Sequence, residues 1–247
     1  MRLSVLIPAY ARHPLTVRNV EETMKSTRVP DEIIVVNDGG DPSLREMLYA
    51  LPRNTEIIYA RIEEDILWNY NGAVNLACWL STGDVIAIQD TDHIPSRDVF
   101  ANGLKVLEDS PEINRVSFGR NIVQIDKMDK PMEEWVSNGS MGTNQMVAFL
   151  RRDVYLALKG QDERFAGHYG YMSYDFPYRR DKIYGAISQK SNYYWAVLGD
   201  EGEPGLKRGL SKENRRLYHE NAQSGKLHPI GGILNFHYTF ERWKKNI

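Results

Sequence analysis

Four short runs in the first part of the chain are apolar, with Ser4 the one polar exception: Leu3–Ile7, Ile33–Val36, Ile57–Ala60 and Val85–Ile88. A strand with one wet face alternates polar and apolar residues. A strand apolar throughout is buried on both faces, as in parallel sheets covered by helices. The intervening segments carry the helical period. Val17, Val20 and Met24 recur at helical spacing, with Pro14 in the first turn. A short helix is expected after Pro42. Ala73, Leu76, Ala77 and Leu80 mark one helix face, and Gly83 is expected as that helix's C-terminal glycine. The alternation predicts an α/β fold: a Rossmann-like, mostly parallel central sheet with helices on both faces and a C-terminal extension.

In such sheets ligands bind beyond the carboxyl ends of the strands. Those ends carry Pro8-Ala9-Tyr10, Asn37-Asp38 and Asp90-Thr91-Asp92. The three segments are expected to converge on one crevice.

The second half is less regular. Val116–Ile125 and Gln145–Leu150 read as strands, Arg152–Leu158 as a short helix and Tyr193–Leu198 as a strand. Residues 127–144 and 159–173 read as loops. Residues 199–215, rich in glycine and charge, read as a mobile surface loop. No repeat or linker divides the chain, so one domain is expected over residues 1–247.

Composition narrows the function classes. A chain of 247 residues supports one large domain with a sizeable core. A net charge of −2 and a pI near 6.3 give no global positive field for nucleic acid. The single cysteine, Cys78, excludes an intrachain disulfide and a multi-cysteine zinc site, and fits a reducing compartment. No stretch reaches the roughly 20 apolar residues of a membrane span. The apolar run after Met1 is too short for a signal-peptide core and lacks a small-residue cleavage site. The expected location is therefore the cytoplasm, with no transmembrane segment.

Several residues could carry chemistry. Asp90 and Asp92 deliver two carboxylates into a turn at a strand end, a donor set suited to Mg2+ or Mn2+ with substrate phosphates; the alternative is a solvated turn. Asp38 fits turn chemistry within Asn37-Asp38-Gly39-Gly40, or a carboxylate accepting a hydrogen bond from a base edge. Tyr10 could stack on a flat base or pack on the surface. His237 is a candidate additional Mn2+ ligand or a structural histidine among aromatics. Asp175 is a candidate general base or a helix-capping carboxylate. Tyr169, Tyr171 and Tyr174 could stack on a sugar face or pack within their loop.

Taken in order, these segments resemble glycosyltransferase family 2, whose members have the GT-A fold. Ser4-Val5-Leu6-Ile7-Pro8-Ala9-Tyr10 resembles the family's opening strand and nucleotide-contacting turn. Glu32 to Gly40 resembles the strand whose aspartate reads uracil. Asn75, Gly83-Asp84 and Asp90-Thr91-Asp92 match the family's spacing from helix asparagine to metal motif. Phe149 to Asp153, followed by Gly160 to Phe165, resembles its acceptor-side segment.

The resemblance implies nucleotide-sugar contacts from Pro8, Tyr10, Asp38, Asn75 and Asp90. It implies a metal, Mn2+ or Mg2+, on Asp92 with Asp90, and inversion by direct displacement. It divides the domain into a nucleotide-binding half (1–92), an acceptor-side half (93–198) and a loop with C-terminal extension (199–247). Three departures stand out. The family's acidic pair is replaced by Met172-Ser173-Tyr174, leaving Asp175 as the nearest carboxylate. The arginine before the helix asparagine is Val74, so Lys207 and Arg208 become candidates for diphosphate contact. Glu241-Arg242-Trp243 is similar to the end of a processive-synthase motif, but Thr239 replaces its leading glutamine.

The expected function is transfer of a sugar from a UDP-sugar donor to a hydroxyl of a glycan, lipid-linked or protein acceptor. The alternative is a GT-A protein that binds a nucleotide sugar without transferring it. A nucleotidyltransferase ranks last, because residues 8–14 offer no glycine-rich phosphate loop with a lysine.

Overall fold

The computed structural model describes residues 1–198, 210–229 and 231–247. The first half runs β1 (Leu3–Ala9), α1 (His13–Met24), β2 (Glu32–Asp38), α2 (Leu44–Tyr49), β3 (Glu56–Ile62), α3 (Tyr70–Leu80) and β4 (Val85–Ile88). The second half runs β5 (His93–Pro95), α4 (Val99–Asp109), β6 (Ile113–Gln124), β7 (Ser140–Met141), β8 (Ala148–Arg151), α5 (Arg152–Ala157), α6 (Met172–Asp181), β9 (Gly185–Leu198), α7 (Lys212–Ser224) and β10 (Tyr238–Trp243).

These strands form one sheet in the order β10-β3-β2-β1-β4-β8-β6-β9-β5, with β7 paired to β6. The block β3-β2-β1-β4 is parallel throughout. Beyond β4 the sheet becomes mixed. β8 runs antiparallel to both β4 and β6, whereas β6 and β9 are parallel. The added strands β10 and β5 pair antiparallel to β3 and β9.

Side chains of one strand alternate between faces, and both faces of the parallel block are apolar. Val5, Ile7, Ile33, Val35 and Ile57 pack with Val20 of α1, Leu48 of α2 and Phe100 of α4. Leu6, Ile34, Val36, Ile58 and Ile86 pack on the other side with Ala73, Leu76 and Ala77 of α3. Fully burying one such aliphatic side chain contributes about 1.5–3 kcal/mol. The layered core therefore fixes the strand ends that carry the polar segments.

Gly83 has a different role from the one expected. Helix α3 ends at Leu80 with Ser81 as its cap in an extended conformation. Gly83 lies beyond it and donates its N–H to Ser4 Oγ at 2.9 Å. A Cβ there would stand 2.5 Å from Ser4 Oγ and 2.8 Å from the Ser4 nitrogen. The glycine lets the β4 approach lie against β1. Of the segment expected as a loop over 199–215, residues 199–209 lie outside the described residues and Lys212 onward belongs to α7, where Ser211 Oγ accepts from the Asn214 N–H at 3.1 Å. Lys207 and Arg208 lie outside the described residues. Among those described, no helix is long and apolar enough to cross a membrane.

Candidate active site

The Asp90-Thr91-Asp92 turn leaves the end of β4 and is held from two directions. The buried Asn19 of α1 donates to the carbonyls of Asp90, Thr91 and His93, each at 3.1 Å. Thr91 Oγ1 donates to the Pro8 carbonyl at 3.0 Å, tying this turn to the end of β1.

Within the turn, Asp90 accepts from Tyr70 Oη at 2.7 Å and from Asn144 Nδ2 at 3.3 Å. Burial pushes its carboxyl pKa upward, opposed by the nearby His93 and reinforced by the Asp92 charge. Asp92 Oδ1 lies 2.6 Å from His93 Nδ1. The other imidazole nitrogen, Nε2, lies 2.9 Å from Arg120 Nη1. Arginine can only donate, so Nε2 accepts and the imidazole proton sits on Nδ1, donated to Asp92. Arg120 Nε donates to the Gly142 carbonyl at 2.8 Å. Burial lowers the Arg120 pKa, while Asp90 and Asp92 act in the opposite direction.

Ligand atoms of Asp90, Asp92 and His93 all lie within 4.8 Å of one another. The donor set fits a hard divalent cation through its two carboxylates. His93 Nε2 is engaged by Arg120, so the imidazole serves first to orient Asp92. His237, expected as the additional ligand, is not part of this group. Its side chain is 91% exposed and its Nδ1 lies 2.7 Å from Glu64 Oε1.

Asp38 sits at the end of β2, 5% exposed, and accepts from Asn69 Nδ2 at 3.0 Å. Burial, aided by the Asp65 charge and opposed by the Asn69 bond, pushes its pKa up to about 7. The turn after it is compact. Gly39 adopts φ +74°, and a Cβ there would stand 2.4 Å from the Glu64 carbonyl oxygen. A Cβ on Gly40 would stand 2.2 Å from the Tyr10 carbonyl oxygen. The half-exposed Tyr10 hydrogen-bonds Asp65, which raises its phenol pKa. The close approach of Gly40 to the Tyr10 carbonyl and the Thr91–Pro8 hydrogen bond bring the ends of β1, β2 and β4 together.

Two expected site residues are occupied differently. Asn75 Nδ2 donates to the Gln161 carbonyl and to Glu163 Oε1, both at 2.9 Å. Its Oδ1 accepts from Tyr155 Oη at 2.6 Å and from the Gln161 N–H at 2.8 Å. An asparagine amide has two donors and room for two acceptor bonds, so Asn75 is fully committed to the 160–163 segment. These four bonds tie α3 to the 160–163 segment and to Tyr155. Asp175 lies buried in the first turn of α6, where it accepts from Arg179 Nε at 2.9 Å and Asn221 Nδ2 at 2.8 Å. Its charge is neutralised inside the protein, an arrangement that suits a structural ion pair better than a general base.

The residues missed from sequence are Asn69, Tyr70, His93 and Arg120. Asn69 and Tyr70 follow β3, and the strand-end rule applied to β1, β2 and β4 also points there. A cavity of about 280 Å³ opens beside Asn69, lined also by Ile66, Glu163, Arg164, Asn235 and Phe236.

Comparison with known proteins places this geometry. The family model for Glycosyl transferase family 2 matches residues 4–181, more than half of the chain. Over 144 residues, 58% of the chain, it is 28% identical to an uncharacterized glycosyltransferase of Rickettsia bellii (strain RML369-C), of whose length it spans 20%. S. aureus TarS (residues 1–349) in complex with UDP superposes with a TM-score of 0.66 at 13% identity, covering 91% of this chain and 65% of that one. The same TarS fragment in complex with UDP-GlcNAc gives 0.66 at 14% identity, covering 90% and 66%. The mannosyltransferase PcManGT of Pyrobaculum calidifontis, in complex with GDP-Man and Mn2+, gives 0.60 at 17% identity, covering 92% and 69%. The chain therefore spans a fifth of the Rickettsia relative and just under two thirds of the TarS structures. At these identities the solved structures establish the architecture, a GT-A α/β fold with a mixed central sheet flanked by helices. With the match running from β1 to the end of α6, the chain belongs to glycosyl transferase family 2.

Proposed function

We propose that this chain is a metal-dependent, inverting glycosyltransferase that moves a sugar from a UDP-sugar to an acceptor hydroxyl. The carrying observation is the convergence of the ends of β1, β2 and β4, joined by the Thr91–Pro8 hydrogen bond and the close approach of Gly40 to the Tyr10 carbonyl, which brings the segments carrying Pro8, Tyr10, Asp38, Asp90 and Asp92 together. Solved neighbours bound to UDP-GlcNAc, and to GDP-Man with Mn2+, support it. On this reading the Asp38 carboxylate accepts the uracil N3–H, and Tyr10 covers the base. Asp92 and Asp90 would hold Mn2+ or Mg2+, which supplies Lewis-acid stabilisation of charge on the departing diphosphate. His93 keeps Asp92 oriented, and Arg120 holds His93 in the required tautomer. Residues 1–92 form the nucleotide-binding half of a single domain, residues 93–198 the acceptor side, and the remainder a C-terminal extension.

The test is UDP release from UDP-sugars, with GDP-sugars as controls. Asp92→Ala is expected to lose at least 100-fold in kcat/KM, on the order of the 3 kcal/mol that preorganised electrostatic groups supply. Full activity in that variant, or in chelator, would refute the metal assignment.

A second reading has its own support. With Asp175 engaged by Arg179 and Asn221, and Met172-Ser173 in place of an acidic pair, the chain could bind the donor without transferring it. Calorimetric UDP binding with no turnover on any acceptor would favour this reading.

A further inference from the structure

Four tyrosines gather where α6 meets α7. Tyr218 of α7 lies 5.8 Å from the Tyr171 ring, 5.9 Å from Tyr178 and 6.5 Å from Tyr174, measured between centroids. Tyr171 and Tyr174 lie 6.0 Å apart. The cluster is not a piece of the core. Tyr174 is 49% exposed, and the residues that α7 buries are the amides Asn214 and Asn221.

The cluster is also linked to the strand ends that carry Asp38 and Asp90. Asn214 Nδ2 donates to the carbonyls of Phe165, His168 and Gly170. This pins the loop that leads into Tyr171. Further back in that loop, the Gly167 N–H donates to the Leu67 carbonyl at 2.6 Å, and Tyr169 packs against Trp68 at 5.0 Å. The residues after Trp68 are Asn69 and Tyr70, which bind Asp38 and Asp90. One pinned loop therefore connects the tyrosines to both ends of the donor site. Tyr171 itself holds a left-handed backbone, φ +62°. That conformation is unfavourable for a non-glycine residue and persists only where the surroundings enforce it.

We infer that Tyr171, Tyr174 and Tyr218 form a stacking platform for a carbohydrate ring, so that the acceptor is a saccharide. The inference rests on the transfer reading above. A tyrosine combines a broad apolar ring with a polar hydroxyl. This matches a pyranose, whose C–H face is apolar and whose rim is hydroxylated. A bare alkyl chain would leave the hydroxyls unused. A single serine or threonine of a protein acceptor would not cover several rings.

The test uses the full chain and a panel of methyl glycosides, short oligosaccharides, simple alcohols and serine- or threonine-containing peptides. Transfer kinetics from UDP-sugar, UDP affinity by calorimetry, and saturation-transfer NMR of the saccharides are measured for the wild type, Tyr174→Ala and Tyr174→Phe. Tyr174 is chosen because its exposure spares the packing that Tyr218 provides. The expected result is a rise of about three- to tenfold in saccharide KM for Tyr174→Ala, in line with one aromatic contact. UDP affinity should stay unchanged, and Tyr174→Phe should restore most of the loss. An unchanged KM and an unchanged saturation-transfer signal in Tyr174→Ala would overturn the platform, as would transfer only to simple alcohols or peptides. If the wild type transfers nothing, the transfer reading fails. A saccharide signal present in the wild type and abolished in Tyr174→Ala would still uphold the platform, and its absence from the wild type would overturn it.

Discussion

Replacing Asp38 by asparagine should stabilise the unliganded protein, and increasingly so as pH rises. The carboxyl is buried, receives one hydrogen bond from Asn69 and faces the Asp65 charge. Its pKa is about 7 in the folded chain, against an ordinary 3.8. Between those values the folded state holds a proton that the unfolded state has released. Stability therefore falls as pH rises through this window, and the loss is complete above pH 7. At 1.36 kcal/mol per pH unit, the whole interval corresponds to about 4 kcal/mol, of which about 3 kcal/mol lies between pH 5 and pH 8. Asparagine keeps an acceptor for Asn69 and never ionises. Urea unfolding of wild type and Asp38→Asn at pH 5, 6, 7 and 8 measures the difference directly. The variant's advantage should grow by about 2–3 kcal/mol across that range, while calorimetric UDP affinity is lost. A stability difference independent of pH would refute the account of Asp38 as a strained, buried carboxyl.

Other expectations follow from single contacts. Gly83→Ala should lower stability by about 1–3 kcal/mol, because its Cβ would meet the Ser4 backbone; an unchanged urea midpoint would contradict the close approach. Arg179→Met should cost about 3–5 kcal/mol by leaving Asp175 buried without its partner, and adding Asp175→Asn should recover part of that loss. Equal damage in the single and double variants would show that the ion pair is not the source.

The parallel block was legible because its code is local. Each apolar run announces a buried strand, and the polar residues after β1, β2 and β4 lie beyond the carboxyl ends of parallel strands, where sheets of this kind bind ligands in general. Helix α4 carries a local code as well, a buried face of Val99, Phe100, Gly103, Leu104 and Leu107. Helix α7 could not be read this way. Its buried residues are asparagines that hydrogen-bond to a distant loop, so no apolar stripe marks it. Strand β10 is exposed over most of its length, and only its pairing with β3 makes it a strand. In the site, side-chain commitments decide roles that residue type leaves open. Asn75 spends its whole amide on the fold, His237 pairs with Glu64, and the unremarked His93 orients Asp92.

Strand β10 also has a consequence for the order in which the chain matures. Thr239 meets Glu63 across 176 residues of sequence, and β10 closes the open side of β3. While the chain is being synthesised, the β1–β4 block can assemble long before this closing strand leaves the ribosome. During that interval the β3 backbone offers unpaired N–H and C=O groups to any passing strand. Translation pauses or chaperone contacts in the second half of the chain should thus govern how much nascent protein escapes edge-to-edge association.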